Sequence, residues 1–168
     1  MHVIPHFSFC LRPDLENDDK FLPTQSEPMA TGWDCRAAQQ DRKPIILRAG
    51  QYARIPLGFR FIAPSNWWLE CRPRSSTFAK KYLNCLYGVL DSAWRGENIL
   101  CLSYLPDINS LARDLKIEFG EPICQIIPHE RKIMQVNKIS NAEFDRLCAE
   151  EKDNMRGAKG FGEVGGLK

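Results

Sequence analysis

Pro44-Ile45-Ile46-Leu47, Tyr52-Ala53-Arg54-Ile55, Gly58-Phe59-Arg60-Phe61-Ile62 and Trp67-Trp68-Leu69-Glu70-Cys71 are four short apolar runs in close succession. Ala49-Gly50 parts the first from the second, and Pro64-Ser65-Asn66 parts the third from the fourth. Arg60 between Phe59 and Phe61 gives the period-two alternation of a strand with one buried face. Gly and Pro punctuate the runs because their backbone angles suit turns better than ladders. The same texture continues outward, in Ile99 to Leu105, Leu115 to Phe119 and Ile123 to Pro128. The Asp107-Ile108-Asn109-Ser110 loop and the Gly120-Glu121-Pro122 turn divide these later runs. Many short strands with frequent turns predict an all-β domain: a sandwich, a jelly roll or a related barrel.

One helix is legible near the end. Ser140-Asn141-Ala142-Glu143 has the spacing of a capping box, in which the Ser140 hydroxyl and the Glu143 carboxylate serve orphan backbone donors. Phe144, Leu147 and Cys148 then share a helical face. After Asp153 the character changes: five of the 11 glycines fall between Arg156 and Gly166. The expected division is a β domain over residues 1–153 and a flexible glycine-rich arm over 154–168. An arginine at the arm's start and Phe161 at its centre suit a segment that folds over a ligand.

Composition narrows the function classes. The 168 residues are 43% hydrophobic and 26% charged, enough for one core. Lys+Arg 23 against Asp+Glu 21 leaves +2, so no broad basic field exists to hold nucleic acid. The longest uncharged apolar run, Tyr82 to Leu90, is far shorter than a membrane helix requires. Met1-His2-Val3-Ile4-Pro5 lacks the basic start and apolar stretch of a secretory signal, which points to the cytoplasm. The seven cysteines are odd in number and form no CxxC pair, so free thiols are expected rather than disulfides or a closed zinc site.

Candidate chemistry gathers in three places. The histidines, His2, His6 and His129, sit in no nucleophile or metal motif. Arg72-Pro73-Arg74-Ser75-Ser76-Thr77 follows a strand and precedes a possible helical turn; it reads as a phosphate site or as a capped turn with solvated arginines. Gly88-Val89-Leu90-Asp91 through Trp94-Arg95-Gly96-Glu97 is a strand ending in an acid, an aromatic and a turn, or a plain hairpin with Asp91 outward. The glycine-rich arm is the third.

In order, these clusters resemble the five motifs of the trimeric dUTPase family. Ala30-Thr31-Gly32-Trp33-Asp34-Cys35-Arg36-Ala37 is similar to the first and Pro73-Arg74-Ser75-Ser76 to the second. Gly88 through Glu97 is similar to the third, Gly120-Glu121-Pro122-Ile123-Cys124-Gln125 to the fourth, and Arg156-Gly157 through Gly160-Phe161-Gly162 to the fifth. The resemblance runs from about Pro23 to Gly165 and implies a distorted jelly roll or β-barrel, assembled as a homotrimer whose sites are shared, with the arm arriving from a neighbour.

The resemblance also implies a reaction: hydrolysis of dUTP to dUMP and pyrophosphate, by water attacking the α-phosphorus with Mg²⁺ on the phosphates. Asp91 would orient and deprotonate that water and contact the 3′-hydroxyl. Asp34 would hold hydrated Mg²⁺. Arg74, Ser75, the Ser76 amide and Gln125 would hold the phosphate chain. Backbone groups from Cys85 through Gly88 and Leu90 to Asp91 would read uracil, and Trp94, in place of the family tyrosine, would pack under the sugar or in the core. Arg156 would reach the γ-phosphate and Phe161 would stack on the base, while Gly160 and Gly162 let the backbone approach.

Several positions depart from the pattern: Ser76 and Lys159 stand for glycine, and Glu163-Val164 for Ser-Thr. The related dCTP deaminases favour RSS and an aromatic at the Trp94 position. They need a glutamate ten residues beyond the motif-three aspartate, where this chain has Cys101, and they lack the arm. Deamination, pyrophosphate release from dCTP or a modified pyrimidine nucleotide, and a non-catalytic nucleotide-binding regulator are the alternatives.

Overall fold

Eleven strands carry most of the regular structure in the computed structural model, which describes residues 4–107 and 113–150. They are β1 (Ser8–Leu11), β2 (Trp33–Arg36), β3 (Ile45–Leu47), β4 (Tyr52–Pro56), β5 (Phe59–Ile62), β6 (Trp67–Pro73), β7 (Leu83–Cys85), β8 (Gly88–Leu90), β9 (Ile99–Tyr104), β10 (Leu115–Ile117) and β11 (Pro122–Glu130). The short helix α1 (Ser75–Ala79) follows β6, and α2 (Asn141–Glu150) follows β11. The predicted all-β, jelly-roll-like class holds. Its strands form four antiparallel sheets, in the orders β2-β11-β6-β8, β4-β9-β7, β1-β5 and β10-β3.

The chain divides at Lys132/Ile133 into two compact units. In the first, alternation builds the core. Phe59 and Phe61 of β5 are buried while Arg60 and Ile62 are exposed, as the sequence pattern predicts. They join Ile55, Leu100, Leu102, Ile117 and Ile126 in one cluster between the sheets. All seven cysteines are free thiols, and Cys35, Cys71, Cys85 and Cys124 are buried in that cluster. Burial pushes the Cys85 thiol up to about 12. A hydrogen bond with Cys124, together with burial, drives Cys71 higher still, so these groups act as small hydrophobes.

β11 is the longest strand, hydrogen-bonded to β2 on one side and β6 on the other. Its register against β2 shifts between Pro122 and Cys124, a bulge that leaves both Ile123 and Cys124 buried. The Thr77 hydroxyl of α1 donates to the Ile123 carbonyl at 2.8 Å. A carbonyl within the bulge is thereby satisfied, and α1 is pinned beside β11.

In the second unit, α2 carries half of the expected capping box. Glu143 N donates to the Ser140 hydroxyl at 3.2 Å. The Glu143 carboxylate turns instead to Arg146, at 2.7 and 2.8 Å, because a charged guanidinium one turn along outcompetes a backbone amide. No residue of α2 is buried. Among the described residues, no helix is long and apolar enough to cross a membrane.

Gly58, between β4 and β5, has φ of +76°. A Cβ there would stand 2.8 Å from that of Ala38 and 2.5 Å from Leu15 Cδ1. Gly50 has φ of +80° with open space around it. Gly58→Ala should therefore cost about 2–4 kcal/mol, adding overpacking to backbone strain, and Gly50→Ala about 1–2 kcal/mol. Urea unfolding of the two variants checks the difference.

Candidate active site

The two-sided register of β11 aligns three of the predicted motifs. Gln125 lies opposite Asp34 on β2 and opposite Arg72 on β6. Cys124, its neighbour, lies opposite Cys35 and Pro73. Side chains alternate across a sheet, so Asp34, Gln125 and Arg72 share the outer face while Cys35, Cys124 and Cys71 fill the core behind them. Just past β6, Arg74 Nε donates to Asp34 Oδ1 at 2.9 Å. The Gln125 carboxamide donates to the Pro73 carbonyl at 3.1 Å. Ser75 is exposed and Ser76 half-buried, in the first turn of α1, where backbone amides lack intrahelical acceptors.

These five predicted residues do come together. A guanidinium, two hydroxyls and a carboxamide stand beside a carboxylate, a set whose donors suit an anionic group. Asp34 is a strand residue ion-paired to Arg74. Gly32 is part of the arrangement, since a Cβ on it would come within 2.1 Å of Gln125 Oε1.

The third motif is built differently. β7 and β8 are consecutive but do not pair with each other. β7 belongs to β9, with Cys85 opposite Leu102, and β8 belongs to β6, with Gly88 opposite Cys71. The last rung on the first side is Leu86 N to Cys101 O, at 2.9 Å. Leu86 and Tyr87 then cross from one sheet to the other. A shallow concavity of about 480 Å³ opens beside this split, lined by Tyr52, Asn84, Cys85, Leu86, Tyr87 and Cys101 among others. Of the predicted base-reading stretch, Cys85 lines this concavity with Leu86 and Tyr87, on the side of the β4-β9-β7 sheet, and Gly88 to Leu90 continue on the other sheet.

Asp91 follows β8 and is exposed, and Trp94 N donates to its carbonyl at 2.9 Å. Trp94 is 50% exposed, so the core reading of this residue is wrong. Its indole lies over Gly96, where a Cβ would approach within 2.3 Å. Sequence reasoning missed what anchors this turn. Glu97 accepts from Arg12 Nη1 at 2.8 Å and from Gly58 N at 3.0 Å. Buried Asn98 donates its carboxamide to the Phe59 carbonyl at 3.1 Å. Arg12 is held above its usual pKa by its hydrogen bond to Asp14, with help from the charge of Glu97.

The two groups stand apart within one chain. Leu90, the last residue before Asp91, pairs with Leu69, whereas Arg74 follows Pro73. Four residues of strand, about 13 Å, separate those positions. Arg156, Gly160, Phe161 and Gly162 lie outside the described residues.

The dUTPase family model matches residues 18–165 of this chain. A curated relative, the deoxyuridine 5'-triphosphate nucleotidohydrolase of Rhizobium leguminosarum bv. trifolii, is 34% identical over 146 residues, covering 86% of this chain and 85% of its own. Among solved structures, a Staphylococcus bacteriophage 80alpha dUTPase mutant with dUpNHpp superposes with TM-score 0.72 at 16% identity, over 96% of this chain and 99% of that one. A dUTPase mutant from phage phi11 of S. aureus, described for its coordination of a structural Mg(II) ion, gives TM-score 0.66 at 12% identity over 81% and 97% of the two chains.

Gly32→Ala should push the Gln125 carboxamide from its place with little effect on stability. We expect a loss within about 1 kcal/mol in unfolding and about 10- to 100-fold in nucleotide turnover, the worth of a hydrogen bond to a charged group. Gln125→Ala should match it in a steady-state assay.

Proposed function

This chain belongs to the dUTPase family, and we propose that it hydrolyses dUTP to dUMP and pyrophosphate by the residues described above. The observation that carries the assignment of roles is the unpaired β7–β8 split with Asp91 at its far end. Backbone donors and acceptors between two sheets are suited to the edge of one base. A slot that pairs with uracil leaves buried groups unmatched by cytosine and has no room for the methyl group of thymine.

Asp91 is the general base. Its carboxylate is exposed and open to the attacking water, whose proton it takes. Trp94, flat over Gly96, supplies an aromatic surface for the sugar. Arg74, Ser75, Ser76 and Gln125 hold the phosphate chain in line with that attack, because a polyanion is activated chiefly by positioning and charge neutralisation.

Among the described residues no three His, Cys, Asp or Glu side chains gather into a metal cage. Asp34 has one oxygen engaged by Arg74, and among the described residues its Oδ2 has no hydrogen-bond partner. One available carboxylate oxygen, completed by waters and substrate phosphates, is a donor set that Mg²⁺ accepts, so these residues fit it. When bound, Mg²⁺ would neutralise phosphate charge and make the phosphorus more electrophilic. Asp34 would keep its hydration shell in place, and Arg74 would fix the Asp34 rotamer.

The family resemblance implies a homotrimer with shared sites. The separation of Asp91 from Arg74 along β6 is compatible with the hairpin of one copy meeting the phosphate cluster of another. The arm, with Arg156, Gly160, Phe161 and Gly162, closes over that site. Large exposed apolar side chains, Phe78, Leu86 and Val89 among them, are what an assembly interface would cover. Free thiols throughout suit a reducing compartment such as the cytoplasm.

Purified protein with Mg²⁺ should release pyrophosphate from dUTP far faster than from dCTP, dTTP or UTP. Product analysis showing dUTP formed from dCTP would make it a deaminase instead, and no turnover of any of the four would make it a binding protein. Asp91→Asn should keep dUTP-analogue affinity within about threefold while losing about 10²- to 10⁴-fold in kcat, the usual contribution of a general base. An unchanged rate would remove Asp91 from that role.

A further inference from the structure

We infer that Tyr87, held by Arg72, sets the width of the base slot and thereby the preference for uracil over 5-methylated pyrimidine. The inference rests on the proposed reading of the β7–β8 split as that slot. Its starting point is a mechanical weakness. β7 and β8 have no ladder between them and are joined only by Leu86 and Tyr87, so the conformation of those two residues sets where β8 stands relative to the β4-β9-β7 sheet. β8 is an edge strand of three residues, attached to the body only through β6. Leu86 is tied on the β9 side by its amide, which leaves Tyr87 as the residue that must join the other sheet.

The Tyr87 side chain makes that junction. With Gly88 opposite Cys71, the register carries Tyr87 alongside Arg72. The Arg72 guanidinium lies over its ring, 5.3 Å from the centroid, although Tyr87 is 60% exposed. Arg72 is itself held. Its Nε is 2.9 Å from Glu70 Oε2, and the same oxygen is 3.0 Å from His129 Nε2. His129 stacks on Trp68 with centroids 4.6 Å apart and rings 19° from parallel. Arg72, and after it His129, hold the Glu70 carboxyl below its ordinary range, so the anion that orients Arg72 persists at neutral pH.

Trp68, Glu70 and Arg72 form one outer row of β6, running beside β8 along its length. The row begins at the tyrosine where the chain enters β8 and ends next to Leu69, opposite the residue before Asp91. An exposed tyrosine on a loop tip would ordinarily be free to rotate. Here a pre-oriented cation covers its ring, and the loop backbone moves only if that contact breaks. Tyr87 and Arg72 are positioning residues: they act on the base through the backbone they hold.

The test compares Tyr87→Ala, Tyr87→Phe and Arg72→Leu with the parent protein. The first readout is the ratio of kcat/KM for dUTP to that for dTTP. The second is amide hydrogen exchange at Leu86, Tyr87 and Gly88. Tyr87→Ala and Arg72→Leu should lower the ratio about two- to fivefold, the size of an exposed cation–π contact, and speed exchange at those amides. Tyr87→Phe keeps the ring and should match the parent in both. A Tyr87→Ala ratio equal to the parent's, or a Tyr87→Phe ratio as low as that of Tyr87→Ala, overturns the inference. Should the parent fail to turn over dUTP, the functional reading falls separately. Exchange at the three amides then decides whether the clasp exists, and unchanged exchange in Tyr87→Ala rejects it.

Discussion

β11 sets the register on which everything chemical in this molecule depends. It is hydrogen-bonded along both edges, and its side chains alternate between a thiol-rich core and an outer face carrying Gln125. A slip of one residue against β2 or β6 would turn Gln125 inward and Cys124 outward. The buried cysteines therefore matter to the site without touching it: Cys35, Cys71 and Cys124 are the reason that Asp34, Arg72 and Gln125 can all face out. The bulge at Ile123 would leave a carbonyl wanting, and Thr77 meets it. That one hydroxyl fixes the start of α1, and with it Ser75 and Ser76, against the strand that presents Gln125.

The other half of the chemistry comes from pairing that does not form. Backbone groups left without a ladder normally cost free energy if they are shielded from water. At the β7–β8 split the concavity beside Cys85, Leu86 and Tyr87 leaves them open to solvent, and on the proposed reading a base would take the place of that solvent. Such a place can discriminate by hydrogen-bond pattern while remaining stable when empty. Its weakness is that unpaired strands have no intrinsic spacing. The row from Trp68 to Tyr87 on one side and the Glu97–Arg12–Gly58 anchor on the other hold the two ends of this segment.

Much of this was legible in the sequence where the governing signal is local. Short apolar runs set off by Gly and Pro turns located β3, β4, β5, β6, β9, β10 and β11, with period-two alternation marking β5, and the ordered motifs picked out Asp34, Arg74, Ser75, Ser76 and Gln125, which the structure gathers. What the sequence hid is nonlocal. β1 is a strand because Ser8–Leu11 meets Phe59–Ile62, a partner far along the chain. Glu97 finds Arg12 across 85 positions, a pairing that no spacing rule encodes. The capping box failed in its second half because Arg146 competes for Glu143. Trp94 read equally well as core, and only the fold shows that Gly96 gives its ring a place at the surface. The β7–β8 split was invisible for a related reason: each strand chose a partner other than its neighbour.

The exposure of Asp91 bears on how the proposed reaction could work at all. The charge of a carboxylate in bulk water is screened and acts only weakly on its neighbours. The phosphate cluster has the same problem, since Arg74 is partly exposed and already shares its charge with Asp34. Neither half-site in one chain is dry enough for its charges to count heavily. On the proposed reading, bringing the hairpin of one copy onto the cluster of another would remove water from both at once. Each charge then acts through a lower dielectric without any residue having to be buried in the isolated chain, where an unpaired ion would destabilise the fold. On the proposed reading, leaving the machinery exposed and dividing it between copies lets a thin-walled β domain keep ionised groups ready without burying them alone.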